Sequence, residues 1–296
     1  MKASMLTNFK KNRGVLIGTG SFCLLLIILI WSSLQKQLRT DRADTVNAAV
    51  QRNSNLAVAL EQYAIRTIQN ADAVIQLVKK EWTVHGRADL PELLNDSTVQ
   101  NELFTMVSIT DREGTVIGST YRDVAGMNVS DRMYFDVHKR GVQTGLYIGK
   151  PIISRVFGRA AIPVSRRYDM PDGSFAGIII VLIEPPTFTS FYAKANLHPN
   201  DIVSLVALDG ITFARRTGNR ESFGENISKS PLYAHVRKQP VGNYFAKDAI
   251  RGIPTFFSYR KLPTYDMIAT VGTAEADVLA DFNRRARKDT IGAAII

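Results

Sequence analysis

Two apolar runs, one near each end, bound what this chain can fold into. Residues 14–31 read GVLIGTGSFCLLLIILIW without a charge, and residues 290–296 open a second run, TIGAAII. A bilayer core of roughly 30 Å takes about 20 helical residues. The first run therefore predicts a transmembrane helix, and the second the opening turns of another. Lys2, Lys10, Lys11 and Arg13 precede the first run with no acidic residue among them. Positive flanks stay in the cytoplasm, so residues 1–13 are expected there and residues 32–289 across the membrane. Trp31 sits where interfacial aromatics lie. A cleaved leader is the rival reading, because a basic segment precedes an apolar one. Against it, the run exceeds the usual ~7–15 residues of a leader, and WSSLQKQLR offers no small-x-small cleavage site.

The exported stretch is long enough for one large or two small domains. The one cysteine, Cys23, lies inside the first run, so that stretch has no disulfide and depends on its core. This suits a bacterial periplasm. The formal charge of +10 raises nucleic acid as a partner. However, the arginines are scattered and no basic run is interleaved with aromatics. Arg284, Arg285, Arg287 and Lys288 flank the second apolar run. Nucleic acid is not expected.

Residues 46–78 carry a helical pattern without Gly or Pro. Val46, Val50, Asn53, Ala57, Leu60, Ala64, Thr67, Ala71, Val74 and Val78 step by four and three, the spacing of a heptad seam. Such a seam fits a dimer interface or a helix laid on its own domain; Asn53 and Thr67 weaken a coiled coil. Period two then takes over. Residues 104–109 read as a strand, Asp111-Arg112-Glu113-Gly114 as a turn and 115–120 as the hairpin partner. A short helix, SDRMYFDVHKRG, is expected with Ser130 as N-cap and Gly141 as terminator. Strands over 146–153, 159–167 and 175–184 follow, and Pro185-Pro186 ends the set. The same order restarts, with strands 203–208 and 211–215, helix 231–237, and strands 243–247, 253–259 and 267–273. MVSITDREGTVIGS and VSLVALDGITFAR are alike in pattern, which suggests a duplication. The expected class is α+β, a long N-terminal helix and two antiparallel-sheet modules. A last helix, 274–287, leads into the second apolar run.

These residues resemble the double Cache (dCache) extracytoplasmic sensor, two tandem PAS-like modules on a long helix between two membrane spans. VSDRMYF, LYIGKPIISRVFGRAAIPVSRR and PDGSFAGIIIVLIEP are similar to the Cache regions of bacterial membrane diguanylate cyclases and sensor histidine kinases. The resemblance covers residues 38–287. It implies a cytoplasmic 1–13, a transmembrane helix 14–31 and a periplasmic helix 32–80. A membrane-distal module 81–186, a proximal module 187–273, an exit helix 274–289 and a second span from 290 complete the division. It also implies a homodimeric receptor of the bacterial inner membrane whose distal module binds a small molecule. The output domain, a diguanylate cyclase or histidine kinase, is absent from this chain.

Cache modules that bind amino acids carry an Arg followed by an aromatic pair in the short helix, which Arg132, Tyr134 and Phe135 match. Their pattern also has a Tyr five residues earlier, here Met127, and an Asp for the ligand amine, which has no clear counterpart. A carboxylate without an amine fits what remains. A planar guanidinium gives a carboxylate two parallel hydrogen bonds, the role expected of Arg132. Phe135, three residues on, is expected to cover the ligand, with Tyr134 and Tyr147 adding a hydroxyl and a ring wall. Alternation puts Arg159, Ala161, Pro163, Ser165 and Arg167 on one strand face, so Arg159 and Ser165 join the expected ligand-binding set. The plainer reading packs Tyr134 and Phe135 into the core and pairs Arg132 with Asp131 or Asp136. His85, His138, His198 and His235 lack ligand spacing, and no nucleophile motif stands out. No metal, cofactor or catalytic residue is expected, and the chain itself reads as no enzyme. The alternative function is a periplasmic protein-binding scaffold, which a collapsed, wholly apolar pocket would favour.

Overall fold

The heptad seam is used inside the chain. The computed structural model describes residues 2–86, 89–95, 103–190, 192 and 198–295. Parts of the polar stretch 85–101, and Ile296 of the second apolar run, lie outside the described residues. Helix α1 (Lys2–His85) is continuous. On it Asn53, Ala57, Leu60, Ala64, Thr67, Ala71, Val74 and Val78 are all at most 1% exposed. They face the two sheets of their own domain, and the small residues among them let the sheets approach closely. Among the polar members, Asn53 follows the same logic. Asn53 donates through Nδ2 to the Phe256 carbonyl at 3.0 Å, and its Oδ1 accepts from Thr273 Oγ1 at 2.8 Å.

The first sheet has the order β2-β1-β6-β5-β3. It comprises β1 (Met106–Thr110), β2 (Val116–Ser119), β3 (Tyr147–Ile148), β5 (Ala160–Asp169) and β6 (Phe175–Ile183), with β4 (Ile152–Ile153) pairing β5 off that path. The expected strand 146–153 is thus broken in two around Gly149, Lys150 and Pro151. Between β2 and β3 lies α3 (Met133–Lys139), preceded in the chain by the short α2 (Leu90–Asn95). The second sheet runs β10-β11-β12-β7-β8-β9. Its strands are β7 (Ile202–Ala207), β8 (Thr212–Thr217), β9 (Arg220–Ser222), β10 (Val241–Lys247), β11 (Pro254–Lys261) and β12 (Met267–Ala274), and α4 (Leu232–Lys238) joins β9 to β10. Strand β9 was not expected from the sequence, because its residues carry no apolar alternation.

Strand alternation splits each sheet into two faces. Val107, Ile109, Ile179, Val181 and Ile183 join Val203, Leu205 and Val271 in one core against α1. The other face of the first sheet carries Met106, Ile178, Ile180 and Leu182 beneath Tyr134 and Phe135 of α3. All of this lies in one compact unit, Val50–Ala274. The other unit joins the start of α1 to α5 (Glu275–Ile295), with Arg42 Nη2 3.1 Å from Glu275 Oε1. Its part of α1 has a mean hydropathy of 1.6 with no residue of that window buried, and it exposes Phe22, Leu24, Leu25 and Ile28. That is one helix apolar enough to cross a membrane.

Candidate ligand-binding cavity

The second face of the first sheet encloses a small cavity. Met106, Ser108 and Thr110 of β1 and Ile180 and Leu182 of β6 form its floor, Met127, Val129, Arg132 and Tyr134 one wall, and Ile152, Ser154 and Arg155 the other. Its volume is about 30 Å³, room for little more than one or two waters.

Arg132 owes its place to the helix start. Ser130, the expected N-cap, instead donates through Oγ to Asn128 Oδ1 at 2.6 Å, and the chain turns once more through an Arg132 N–H to Val129 carbonyl bond. Arg132 becomes the N-cap in extended backbone, without a capping side chain; its carbonyl accepts from Phe135 and Asp136. Both acidic neighbours are taken. Asp136 pairs with Arg140, and Asp131 holds Arg155 by two hydrogen bonds of 3.1 and 2.5 Å. Among the described residues, the Arg132 guanidinium has no hydrogen-bond or ion-pair partner. Arg155, by its hydrogen bonds, holds the Asp131 carboxyl below the usual carboxylate range. Burial pushes the Tyr134 phenol up to about 12, so it is a neutral donor throughout the physiological range.

The other residues singled out from the sequence stand apart from the cavity wall. Phe135 is fully buried and meets Phe175 edge-on at 5.6 Å. It does not line the cavity that Arg132 lines. Tyr147 lies opposite Ser165 in the β3–β5 ladder and meets His138 edge-on at 6.1 Å. Ser165 is buried under α3, where its Oγ lies 3.0 Å from His138 Nε2 and 3.3 Å from the Tyr134 carbonyl. Arg159 pairs with Glu184 at 3.1 Å. Sequence reasoning missed Ser108, Thr110 and Ser154. The signal for the first two was present: in MVSIT they alternate with Val107 and Ile109, which face α1.

Among solved structures, the chain is similar to the extracellular domain of rpHK1S-Z16, named as a histidine kinase. They share 25% identity at a TM-score of 0.69, over 79% of this chain and 98% of that one. The fold is that of a double Cache sensor region. The sensory domain of the Campylobacter jejuni chemoreceptor Tlp3, with isoleucine bound, matches at 12% identity and a TM-score of 0.53, over 81% and 97% of the two chains. The ligand-binding domain of the Pseudomonas aeruginosa PAO1 chemoreceptor PctB, in complex with L-Arg, matches at 12% and 0.55, over 80% and 98%. At those identities the likeness is one of double Cache fold alone. No family model matches the chain. No curated protein matches it.

Proposed function

We propose that this chain is the extracytoplasmic sensing region of a bacterial inner-membrane receptor and binds a small carboxylate-bearing molecule in its distal module, residues 81–186. The observation that carries this reading is the unpaired Arg132 guanidinium in the wall of a mixed polar and apolar cavity. A half-buried cation without a partner is costly, and a ligand carboxylate supplies the bidentate partner. The amino-acid complexes of the structural neighbours support a ligand of that chemistry. A protein-binding scaffold fits less well, because that reading expects a collapsed, wholly apolar pocket, and this wall carries Ser108, Thr110, Ser154 and two arginines. The same reading places the signal's exit in α5, an output domain (diguanylate cyclase or histidine kinase) beyond it, and homodimerisation on α1 away from the sheet-facing seam.

A cavity of this size must open to admit a carboxylic acid. Arg155 and Asp131 are 47% and 56% exposed, and so exposed a pair is weakly held. The gate is cheap to open. The test takes the full chain in lipid nanodiscs and measures melting against organic acids and amino acids. A ligand at about 100 times its Kd adds about 2.7 kcal/mol, and at about 2–4 °C per kcal/mol this raises Tm by about 5–10 °C. Arg132→Ala is expected to abolish the shift while keeping the unliganded Tm. A shift that survives Arg132→Ala sinks the assignment of this arginine.

A further inference from the structure

The basic cluster that flanks the second apolar run lies outside the sensing unit Val50–Ala274. Arg284, Arg285, Arg287 and Lys288 are exposed on α5, directly before the run that opens at Thr290. On α1, Lys36 and Arg39 are exposed just beyond the run that closes at Trp31. Both sets belong to one compact unit. Arg42 Nη2 meets Glu275 Oε1 at 3.1 Å. The less exposed positions, Trp31, Leu34 and Leu38 on α1 and Leu279, Phe282 and Ala286 on α5, step by three and four, the spacing of two helix faces packed together. Counting down both helices from the Arg42–Glu275 pair at about 1.5 Å per residue, Arg285 stands level with Ser32, next to Trp31. Lys36 and Arg39 follow about one and two turns outward.

These charges are not balanced within the protein. Residues 32–40 and 284–290 hold six cations and one acid, Asp289. Asp281 meets Arg284 at 2.6 Å, but the two side chains are 81% and 71% exposed, so the pair is weak. Among the described residues, the side chains of Lys36, Arg39, Arg285, Arg287 and Lys288 have no hydrogen-bond or ion-pair partner. Lys36 and Arg39 are three residues apart, and Arg284 and Lys288 four apart. Like charges therefore face each other on both helices, which is unfavourable. An anion between them relieves that repulsion. The place of the cluster says which anion. A bilayer's polar layer is roughly 5–8 Å thick on each side, and Trp31 marks its level here. Long Lys and Arg side chains reach such a layer from a turn or two away. The orientation of the chain does not conflict with cations on this side, because a long exported domain crosses largely regardless of its charge.

We propose that these six cations form a collar that binds the phosphate headgroups of anionic phospholipids in the outward leaflet, holding α1 and the exit helix at one depth. The collar rests on the reading of residues 14–31 and the run from 290 as membrane spans.

The experiment places the full chain in nanodiscs and lets spin-labelled phosphatidylglycerol and phosphatidylcholine compete for its surface, with relative affinity read by electron spin resonance. Lys2, Lys10, Lys11 and Arg13 are first changed to Gln, so that the opposite flank adds nothing. Phosphatidylglycerol is expected to be preferred by about fivefold or more, and the preference should collapse at about 1 M salt, where charges are screened within about 3 Å. Changing Arg284, Arg285, Arg287 and Lys288 to Gln should remove most of the preference, and adding Lys36→Gln and Arg39→Gln the rest. Changing the three arginines to Lys keeps the charge and should keep the preference. Soluble glycerol phosphate is expected not to displace the lipid. A chain that does not enter nanodiscs overturns the membrane reading and the collar with it. Entry without a lipid preference overturns the collar alone, as does a preference that survives all six substitutions or is displaced by glycerol phosphate.

Discussion

Gly177 shows how a single residue positions the cavity floor. Its φ is +153°, and an added Cβ would stand 2.0 Å from the Thr110 carbonyl oxygen and 2.8 Å from Tyr168 Cε1. That carbonyl already accepts the Tyr168 hydroxyl at 2.7 Å, so neither neighbour can retreat. Gly177→Ala is expected to cost at least about 2 kcal/mol from overpacking and backbone strain, read as a loss of Tm of about 4–8 °C; an unchanged Tm would show that β1 and β6 are not held this closely. Asp131 offers an opposite case. Asp131→Asn removes the charge that keeps Arg155 occupied, so carboxylate affinity in the distal module should rise severalfold, with little change in Tm because the pair is exposed. Further residue-level information is present in two short triplets. The Asn-x-Ser triplets at Asn128 and Asn226 mark the same turn in both modules. Asn128 Oδ1 accepts from Ser130 N–H and Asn226 Oδ1 from Ser228 N–H, and each turn packs against a positive-φ glycine, Gly114 or Gly210. The duplication is therefore legible in its turns as well as in its strands. What could not be read was the pairing of Asp131 with Arg155, because the two are brought together only by the fold of the β4–β5 loop.

At the scale of elements, α3 is fixed to its sheet by a neutral histidine. His138 is fully buried, with Nδ1 2.8 Å from the Gln143 carbonyl and Nε2 3.0 Å from Ser165 Oγ. A carbonyl only accepts, so Nδ1 carries the proton and Nε2 accepts from the Ser165 hydroxyl. Burial lowers the His138 pKa below its ordinary value of 6.5, with the Arg166 and Arg167 charges acting in the same direction. The unfolded chain then binds the extra proton more readily, and stability rises with pH wherever it does. The contribution of His138 is fully present above about pH 6.5 and is lost as the pH falls from there toward the lowered folded value. Urea unfolding of the full chain at pH 7.5 and 5.5 should show weaker stability at the acidic point, and His138→Gln should shrink that difference. An equal difference in both proteins would remove the histidine from the account. Element types and order were legible here, since periods of 3.6 and 2 and the turn glycines are local properties. The helix start was not: Ser130 is an ordinary N-cap by sequence, but the Asn128 turn claims its hydroxyl first.

For the whole sensing unit, what matters is how the two modules are joined. The heptad spacing in α1 was plain in the sequence, but spacing alone cannot say whether the seam faces a second chain or the chain's own sheets. Polar contacts of α1 decide it, because Asn53 of the seam is satisfied by β11 and β12, while Glu61 and Asp72, outside the seam, meet Arg260 and Arg166 at 2.5 Å each. One ion pair on α1 thus reaches each sheet, and the apolar residues between them fill a core that both sheets share. A direct contact between modules is also present, Lys150 to Asp209 at 2.7 Å, but its side chains are 58% and 50% exposed, which limits it to ~0–1 kcal/mol. Ile68 is 0% exposed in the shared core, and its truncation to Ala should cost about 2–5 kcal/mol. The modules should therefore be coupled through α1 and not through the surface bridge. In chemical denaturation of the full chain, Lys150→Ala should leave the midpoint of this unit nearly unchanged and its transition single. Ile68→Ala should lower the midpoint sharply while both sheets still unfold together. If instead Lys150→Ala splits the unfolding into two steps, the bridge rather than the helix carries the coupling, and a ligand signal would have to leave the distal module through Asp209.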